Sequence, residues 1–193
     1  MGNKDLETRM DRVIEWVKTC DTKASFLLMI EGFLVAILFS SEYVLKVVSY
    51  LYVVLASGTP EGAKPIPCPV VCVSVLSLLV LIICIIVSIF YLINVLGAKT
   101  KENLTGQTGV RTNSLIHFNH ISTKSYTDFR ASIDSETDND AAEDLKSQLY
   151  INSVRCAEKF KDYNTSIIFL KIAVIAMLVF IAAIVVLATY IPQ

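Results

Sequence analysis

Three apolar stretches, Ala24–Ser40, Val70–Leu96 and Ile167–Tyr190, constrain this chain more than any other feature. An α-helix rises ~1.5 Å per residue, so roughly 20 mainly apolar residues are enough to cross a bilayer. The remaining composition agrees: 54% of residues are hydrophobic and mean hydropathy is +0.58, more apolar than a water-soluble domain of this length. The sequence therefore predicts an all-α membrane protein, with three transmembrane helices, cytoplasmic helical extensions and a small cytoplasmic ligand-binding region. The expected boundaries are a cytoplasmic helical stub over 1–23, a first transmembrane helix with an outer extension over 24–57, and an external loop over 58–69. A second transmembrane helix over 70–96, a cytoplasmic sensor region over 97–163 and a third transmembrane helix over 164–190 complete the chain.

The distribution of basic residues orients these spans, whereas the formal net charge of −1 does not. Lys4, Arg9, Arg12, Lys18 and Lys23 precede the first span. Lys99, Lys101, Arg111, Lys124, Arg130, Lys146, Arg155, Lys159 and Lys161 lie between the second and third. The Gly58–Pro69 loop carries only Lys64, and the Ile191–Gln193 tail carries no charged side chain. The positive-inside rule then places the amino terminus and residues 97–163 in the cytoplasm. Ser41–Ser57 is also apolar, but a crossing there would move nine basic residues outside. It reads as an outer extension of the first helix or as an interfacial helix with Tyr43, Tyr50 and Tyr52 at headgroup level. Met1–Cys20 is charged throughout and lacks the features of a signal peptide. Leu6 occupies the position where a myristoylation signal needs Ser or Thr. Cys68 and Cys72 read as unpaired thiols unless the compartment is oxidising, and the five cysteines form no zinc pattern. The sequons Asn103-Leu-Thr105 and Asn164-Thr-Ser166 fall on the cytoplasmic side and read as chance matches.

Two long helices are expected to leave the membrane unbroken. Leu6, Met10, Val13, Val17, Cys20 and Ala24 recur at alternating steps of four and three, a heptad-like seam with no Gly or Pro before the first span. Leu145, Leu149, Asn152, Cys156, Phe160 and Tyr163 form a similar seam leading into the third span, in a helix capped by Asp138 or Asp140 and starting near Ala141. The first seam serves either self-association or an intramolecular contact with the second. Ser122 is expected to cap a helix bearing Tyr126, Phe129 and Ile133, and Asp134–Asp140 reads as a solvated acidic linker. Lys99–Arg111 reads as a loop; its LTGQTG lacks the Lys-Ser/Thr of a phosphate-binding loop.

No catalytic constellation stands out, so no enzymatic activity is expected. His117 and His120 are three residues apart, but they lack further metal ligands nearby, so no metal site is expected. A binding constellation remains. Lys23, Arg155 and Lys159 offer positive charge to an anion. Phe118, Tyr126 and Tyr150 could stack on a planar base, and Asn119, His120, Gln148 and Asn152 could read base edges. Each also has an ordinary alternative: basic residues flanking spans anchor helices at the interface, and aromatics fill cores.

Asp21-Thr-Lys23-Ala24-Ser-Phe-Leu-Leu, followed by Gly32-Phe-Leu, resembles the Asp-x-Lys-Ala-Ser opening of the Pycsar transmembrane effector family. The order that follows is similar too: a second span, a short aromatic segment (LIHFNHIS), a helix with Tyr126, an acidic gap, and a helix carrying Lys159 into a last span. Glu31 departs from the small or amide residue usual in that family, and the aromatic segment ends in Asn-His where Gly-Asp is expected. The resemblance implies a bacterial inner-membrane protein of antiphage defence. A partner cyclase makes cyclic CMP or cyclic UMP, the effector binds it, and the membrane loses integrity. It places Asp21 and Lys23 in the motif at the cytoplasmic mouth, and Phe118, Asn119, His120 and Tyr126 in the ligand wall. The implied partners are a cyclic nucleotide, the lipid bilayer, a functionally coupled nucleotide cyclase and further copies of the chain. No nucleic-acid partner and no cofactor are expected.

Glu31 lies seven residues inside Ala24, and Lys171 lies seven residues inside Asn164. The first and third spans run parallel in this topology, so both charges reach roughly 10 Å below the cytoplasmic face. A charge near mid-membrane costs ~2.5–3.5 kcal/mol, and the expectation is that the two pair, within or between subunits. Two other functional classes share this layout: a constitutive channel or scaffold subunit without a nucleotide ligand, and a sensor that signals to a separate protein.

Overall fold

The computed structural model describes residues 3–40, 42–57, 68–97, 108–111 and 113–189. Most of the 58–69 loop with Lys64, Lys99, Lys101, the Asn103 sequon, most of LTGQTG, Tyr190 and the 191–193 tail lie outside them, as do the side chains of Tyr43 and Tyr50. Among the described residues, six helices follow in order: α1 (Asn3–Ser40), α2 (Glu42–Ser57), α3 (Cys68–Leu96), α4 (Phe118–Ser122), α5 (Tyr126–Asp134) and α6 (Asp138–Ala188). The described residues contain no strand. Of these helices, α3 and α6 are long and apolar enough to cross a membrane by length and composition. Residues 1–23 and 95–161 form one compact unit, and residues 24–94 and 162–193 form a second. Both α1 and α6 contribute to each unit without interruption.

In the first unit, α1 and α6 lie side by side in parallel. Asn152 reaches Met10 (3.7 Å), and farther along Lys159 bonds Asp21 (2.5 Å). Leu6, Met10, Val13 and Cys20 are buried here. The α1 seam is thus used inside the chain, which decides between the two uses expected for it. Burial also holds the Cys20 and Cys156 thiols above the ordinary range, so both stay protonated.

Local capping differs from expectation, for a reason visible in the spacing. Ser125, and not Ser122, caps α5: its hydroxyl accepts from the Asp128 N–H (3.1 Å) and donates to the Asp128 carboxylate. Thr137 and Asp140 make the same reciprocal arrangement at the start of α6, which therefore begins at Asp138 and not near Ala141. Each cap hydroxyl satisfies one orphan N–H of the first turn, and at α6 the Asp140 carboxylate also accepts from the Thr137 N–H (3.3 Å), satisfying a second. The hydrogen bonds from Thr137, with Arg111 nearby, hold the Asp140 carboxyl below the usual range. The acidic stretch 134–140 is consequently more than a solvated linker. Glu136 pairs with Arg111 (3.3 Å), whose guanidinium also donates to the Asp140 carbonyl.

In the second unit, two helices carry buried positions at steps of three, four and seven. On α3 these are Val71, Ser74, Leu81, Ile85, Ser88 and Leu92; on α6 they are Ser166, Ala173, Ala176, Phe180, Ala183 and Leu187. Val35 and Leu38 of α1 join Leu81, Cys84, Ile85, Ala173 and Ala176 in one cluster. Val44 and Val48 of α2 join Val71, Phe180, Ile184 and Leu187 in another. As α1 and α2 advance, α6 advances with them and α3 retreats, so α3 is antiparallel to its neighbours. The interior mixes small residues (Ser74, Ser88, Ser166, Ala173, Ala176, Ala183) with Leu81, Leu92, Phe180 and Leu187, and many large side chains such as Phe26, Phe33, Leu76, Ile83, Phe90 and Ile175 stand outside. Helices that pack inside lipid use this arrangement, because close backbone approach replaces the hydrophobic drive that water supplies.

Candidate ligand site

Residues 108–111 and 113–117 belong to a strap laid along α6 within the first unit. Gly109 turns the chain at φ 88°, a left-handed conformation that a β-carbon disfavours. Arg111 N–H then donates to Ser147 Oγ (3.1 Å). One carboxylate oxygen of Asp144 accepts from both Ser114 Oγ (3.0 Å) and the Leu115 N–H (2.8 Å). Ser114 Oγ in turn accepts from the N–H groups of Ile116 (3.1 Å) and His117 (3.0 Å), and the Ser114 N–H donates to His120 Nδ1 (3.2 Å). The strap makes no regular secondary structure, so its backbone donors need side-chain acceptors. That need turns α6 so that Asp144, Ser147, Gln148 and Ile151 are buried, while Leu145, Leu149 and Asn152 are only half-buried. The seam expected on α6 is therefore corrected by about one residue, with Cys156 common to both.

The result is a buried polar face. Asp144, Gln148 and Arg155 follow one another at helical spacing on α6, with His117 of the strap close to Asp144, Arg155 and His120. Four atoms of this face are buried without a hydrogen-bond partner in the chain: Asp144 Oδ1, Gln148 Nε2, Arg155 Nε and His117 Nδ1. Each such group costs about 1–3 kcal/mol if left unsatisfied, which is heavy for a unit this small. Burial, then the nearby His120 and Arg155, hold the His117 imidazole below its ordinary range and favour the neutral ring. Chemically, the face presents a carboxylate acceptor, an amide donor and a guanidinium donor within one helical stripe. That set suits a planar molecule with adjacent donor and acceptor groups that also carries an anion.

The residues singled out from sequence divide into three groups. His120 and Arg155 belong to this face. Asp21 and Lys159 bond each other, with side chains 37% and 19% exposed, so each neutralises the other. Phe118 (69% exposed), Tyr126 (77%), Asn119 and Lys23 lie on the surface; the Phe118 ring stacks on His117 with centroids 4.9 Å apart. Sequence reasoning missed Asp144, Ser114 and the inward role of His117. The available signal was the polar stripe at 144, 148 and 155, one step behind the apolar seam.

The expected Glu31–Lys171 pair is not formed in the chain. Glu31 is fully buried, and its Oε1 accepts from Ser88 Oγ on α3, while Oε2 has no partner. Lys171 is exposed. Within the chain, direction around the helix decides. Residue 31 continues the Leu6–Ala24 seam by one heptad, whereas 171 stands two positions from the buried Ala173, about 200° away on a helix.

The Pycsar effector protein domain matches residues 5–188. The Pycsar effector protein GmPycTM of Gulbenkiania mobilis is 29% identical over 173 residues, covering 88% of this chain and 86% of that protein. No solved structure matches the chain. With nearly its whole length matched, the chain belongs to the Pycsar effector family.

Proposed function

We propose that this protein is an antiphage effector of the bacterial inner membrane. It binds cyclic CMP or cyclic UMP through the unit of residues 1–23 and 95–161, and then permeabilises the bilayer through the unit of residues 24–94 and 162–193. The observation that carries this reading is the buried face of Asp144, Gln148, Arg155 and His117 with its four unpartnered atoms. A pyrimidine edge offers the donor and acceptor that Asp144 and Gln148 lack, and a cyclic phosphate offers the anion that Arg155 lacks. His120 belongs to the same face, and the exposed rings of Phe118 and Tyr126 are available to a base entering from solvent. Asp21 and Lys159 could exchange their mutual bond for one to the phosphate, with Lys23 adding positive charge.

Three crossings are proposed. Besides α3 and α6, the Ala24–Ser40 part of α1 turns Phe26, Met29, Phe33 and Ile37 outward and packs parallel to α6. With charge-rich 97–163 in the cytoplasm, this gives a multi-pass protein with a cytoplasmic amino terminus. Ligand binding acts by its affinity difference between a resting and an active arrangement of the two helices common to both units. Nothing in this reading requires catalysis or a cofactor. Assembly with further copies would use faces other than the Leu6–Cys20 seam, which is already covered.

The test is a thermal-shift and calorimetric panel of cyclic mononucleotides and cyclic oligonucleotides on detergent-solubilised protein, followed by dye release from liposomes. Stabilisation and release by a cyclic pyrimidine mononucleotide are expected. Dye release without any nucleotide, unchanged by the whole panel, would instead indicate a constitutive channel. Binding without release would indicate a sensor for another protein.

A further inference from the structure

Among its described residues, the unit of residues 24–94 and 162–193 keeps one buried polar side chain with an unmet oxygen. Ser74 and Ser77 donate to carbonyls of their own helix (2.8 and 3.0 Å), and Ser166 Oγ does the same to Tyr163 (2.8 Å). Glu31 has no such local solution. It is fully buried, takes one bond from Ser88 Oγ, and leaves Oε2 without a partner. Ser88 Oγ also lies 3.1 Å from the Ser166 carbonyl, so α1, α3 and α6 meet at one all-oxygen node. Beside it is a crevice lined by Leu34, Leu81, Ile85, Leu170, Ala173 and Met177.

Packing does not account for this carboxyl. An apolar side chain of similar volume would fill the site as well or better, and intramembrane acids are costly wherever they occur. Lys171 lies off this node, on the exposed side of α6. A route opening among the three helices would therefore meet oxygens from Glu31, Ser88 and Ser166, whereas a route between copies of the chain could meet Lys171.

We infer that Glu31 is the charge-selecting residue of the membrane pathway: once α1, α3 and α6 part, its carboxylate, with Ser88 Oγ and the Ser166 carbonyl, favours monovalent cations over anions. An oxygen-only ligand set with negative charge is the chemistry that cation pathways use. The inference rests on the proposed permeabilisation and specifies its charge preference.

The test is current through planar bilayers containing the full-length protein, with asymmetric potassium chloride and cyclic CMP or cyclic UMP added. Wild type is expected to show a reversal potential on the cation side. Glu31→Gln should conduct with that preference lost, the cation-to-anion permeability ratio falling to near unity. Lys171→Gln should retain the wild-type preference. An anion preference abolished in Lys171→Gln would overturn the inference, as would an unselective leak identical in wild type and Glu31→Gln. If no cyclic nucleotide evokes current, the functional reading fails separately. The basal conductance of densely reconstituted protein then decides this inference, which falls if that conductance is absent or indifferent to Glu31→Gln.

Discussion

In the unit of residues 1–23 and 95–161, Leu6, Met10, Val13 and Ile151 are inside, and Arg9, Arg130 and Lys146 are outside. In the unit of residues 24–94 and 162–193, Phe26, Phe33, Ile83 and Ile175 are outside, and Ser74, Ser88, Ser166, Ala173 and Ala176 are inside. Leu92, Phe180 and Leu187 are inside as well, so the contrast lies in the large apolar side chains left outside, and it supports the proposed placement of the second unit in lipid. Water drives large apolar groups inward; lipid exerts no such drive and leaves small residues to bring backbones together. Each unit also keeps a buried carboxylate, and these differ in the same sense. Asp144 accepts two hydrogen bonds from an irregular strap, whereas Glu31 has a single hydroxyl partner.

The largest expected effect tests the first carboxylate. Asp144→Ala leaves the Leu115 N–H and the Ser114 hydroxyl without their acceptor and should destabilise its unit by about 2–4 kcal/mol. Urea unfolding gives the magnitude, and faster amide exchange over Ser114–His117 gives the location; Asp144→Asn, which keeps one acceptor oxygen, should recover about half. Unchanged exchange at Leu115 would mean that the strap is held by something else.

Glu31→Leu should act in the opposite direction. Ser88 retains the Ser166 carbonyl as an acceptor, so no donor is orphaned, and the apolar replacement should stabilise by about 1–2 kcal/mol. A rise in melting temperature in detergent is the expected result, and a fall would show that the Ser88–Glu31 bond holds the bundle together.

A smaller effect is expected from the Asp21–Lys159 pair, which is partly exposed. A double-mutant cycle with Asp21→Asn and Lys159→Met should give a coupling of about 0.2–1 kcal/mol. A coupling well above that range would make the pair a structural clamp between α1 and α6 instead of two charges open to exchange with a ligand.

The smallest effect concerns pH. The imidazole of His117 is held below its ordinary range, so the unfolded chain takes up its proton first. The stability linked to it is complete above the ordinary histidine value of 6.5 and is lost as pH falls through that value toward the folded one. NMR titration should show His117 protonating at lower pH than a free histidine, and His117→Gln should flatten the acid-side decline in stability.

Much of this arrangement was readable from local pattern. The α1 seam at 6, 10, 13, 20 and 24 is buried as its steps of three and four require, and extending it by one heptad would have placed Glu31 inside. Helix starts were readable less well, because two candidate caps stood near each site and only the reciprocal Ser125–Asp128 and Thr137–Asp140 bonds separate them. The polar face on α6 was hidden. Leu145 and Leu149 make the better apolar stripe, and nothing local to α6 announces that Leu115 needs an acceptor.

By itself the sequence determined helices, their lengths and the stretches that suit lipid, because helix hydrogen bonds close within four residues and apolar length is additive along a chain. Only the tertiary structure decided which face of each helix turns inward, and so which carboxylate meets which partner. That choice depends on donors brought from distant segments: the strap that draws Asp144 in, and the α3 hydroxyl that takes Glu31 away from Lys171. A rotation of about 100° per residue is enough to exchange one outcome for the other.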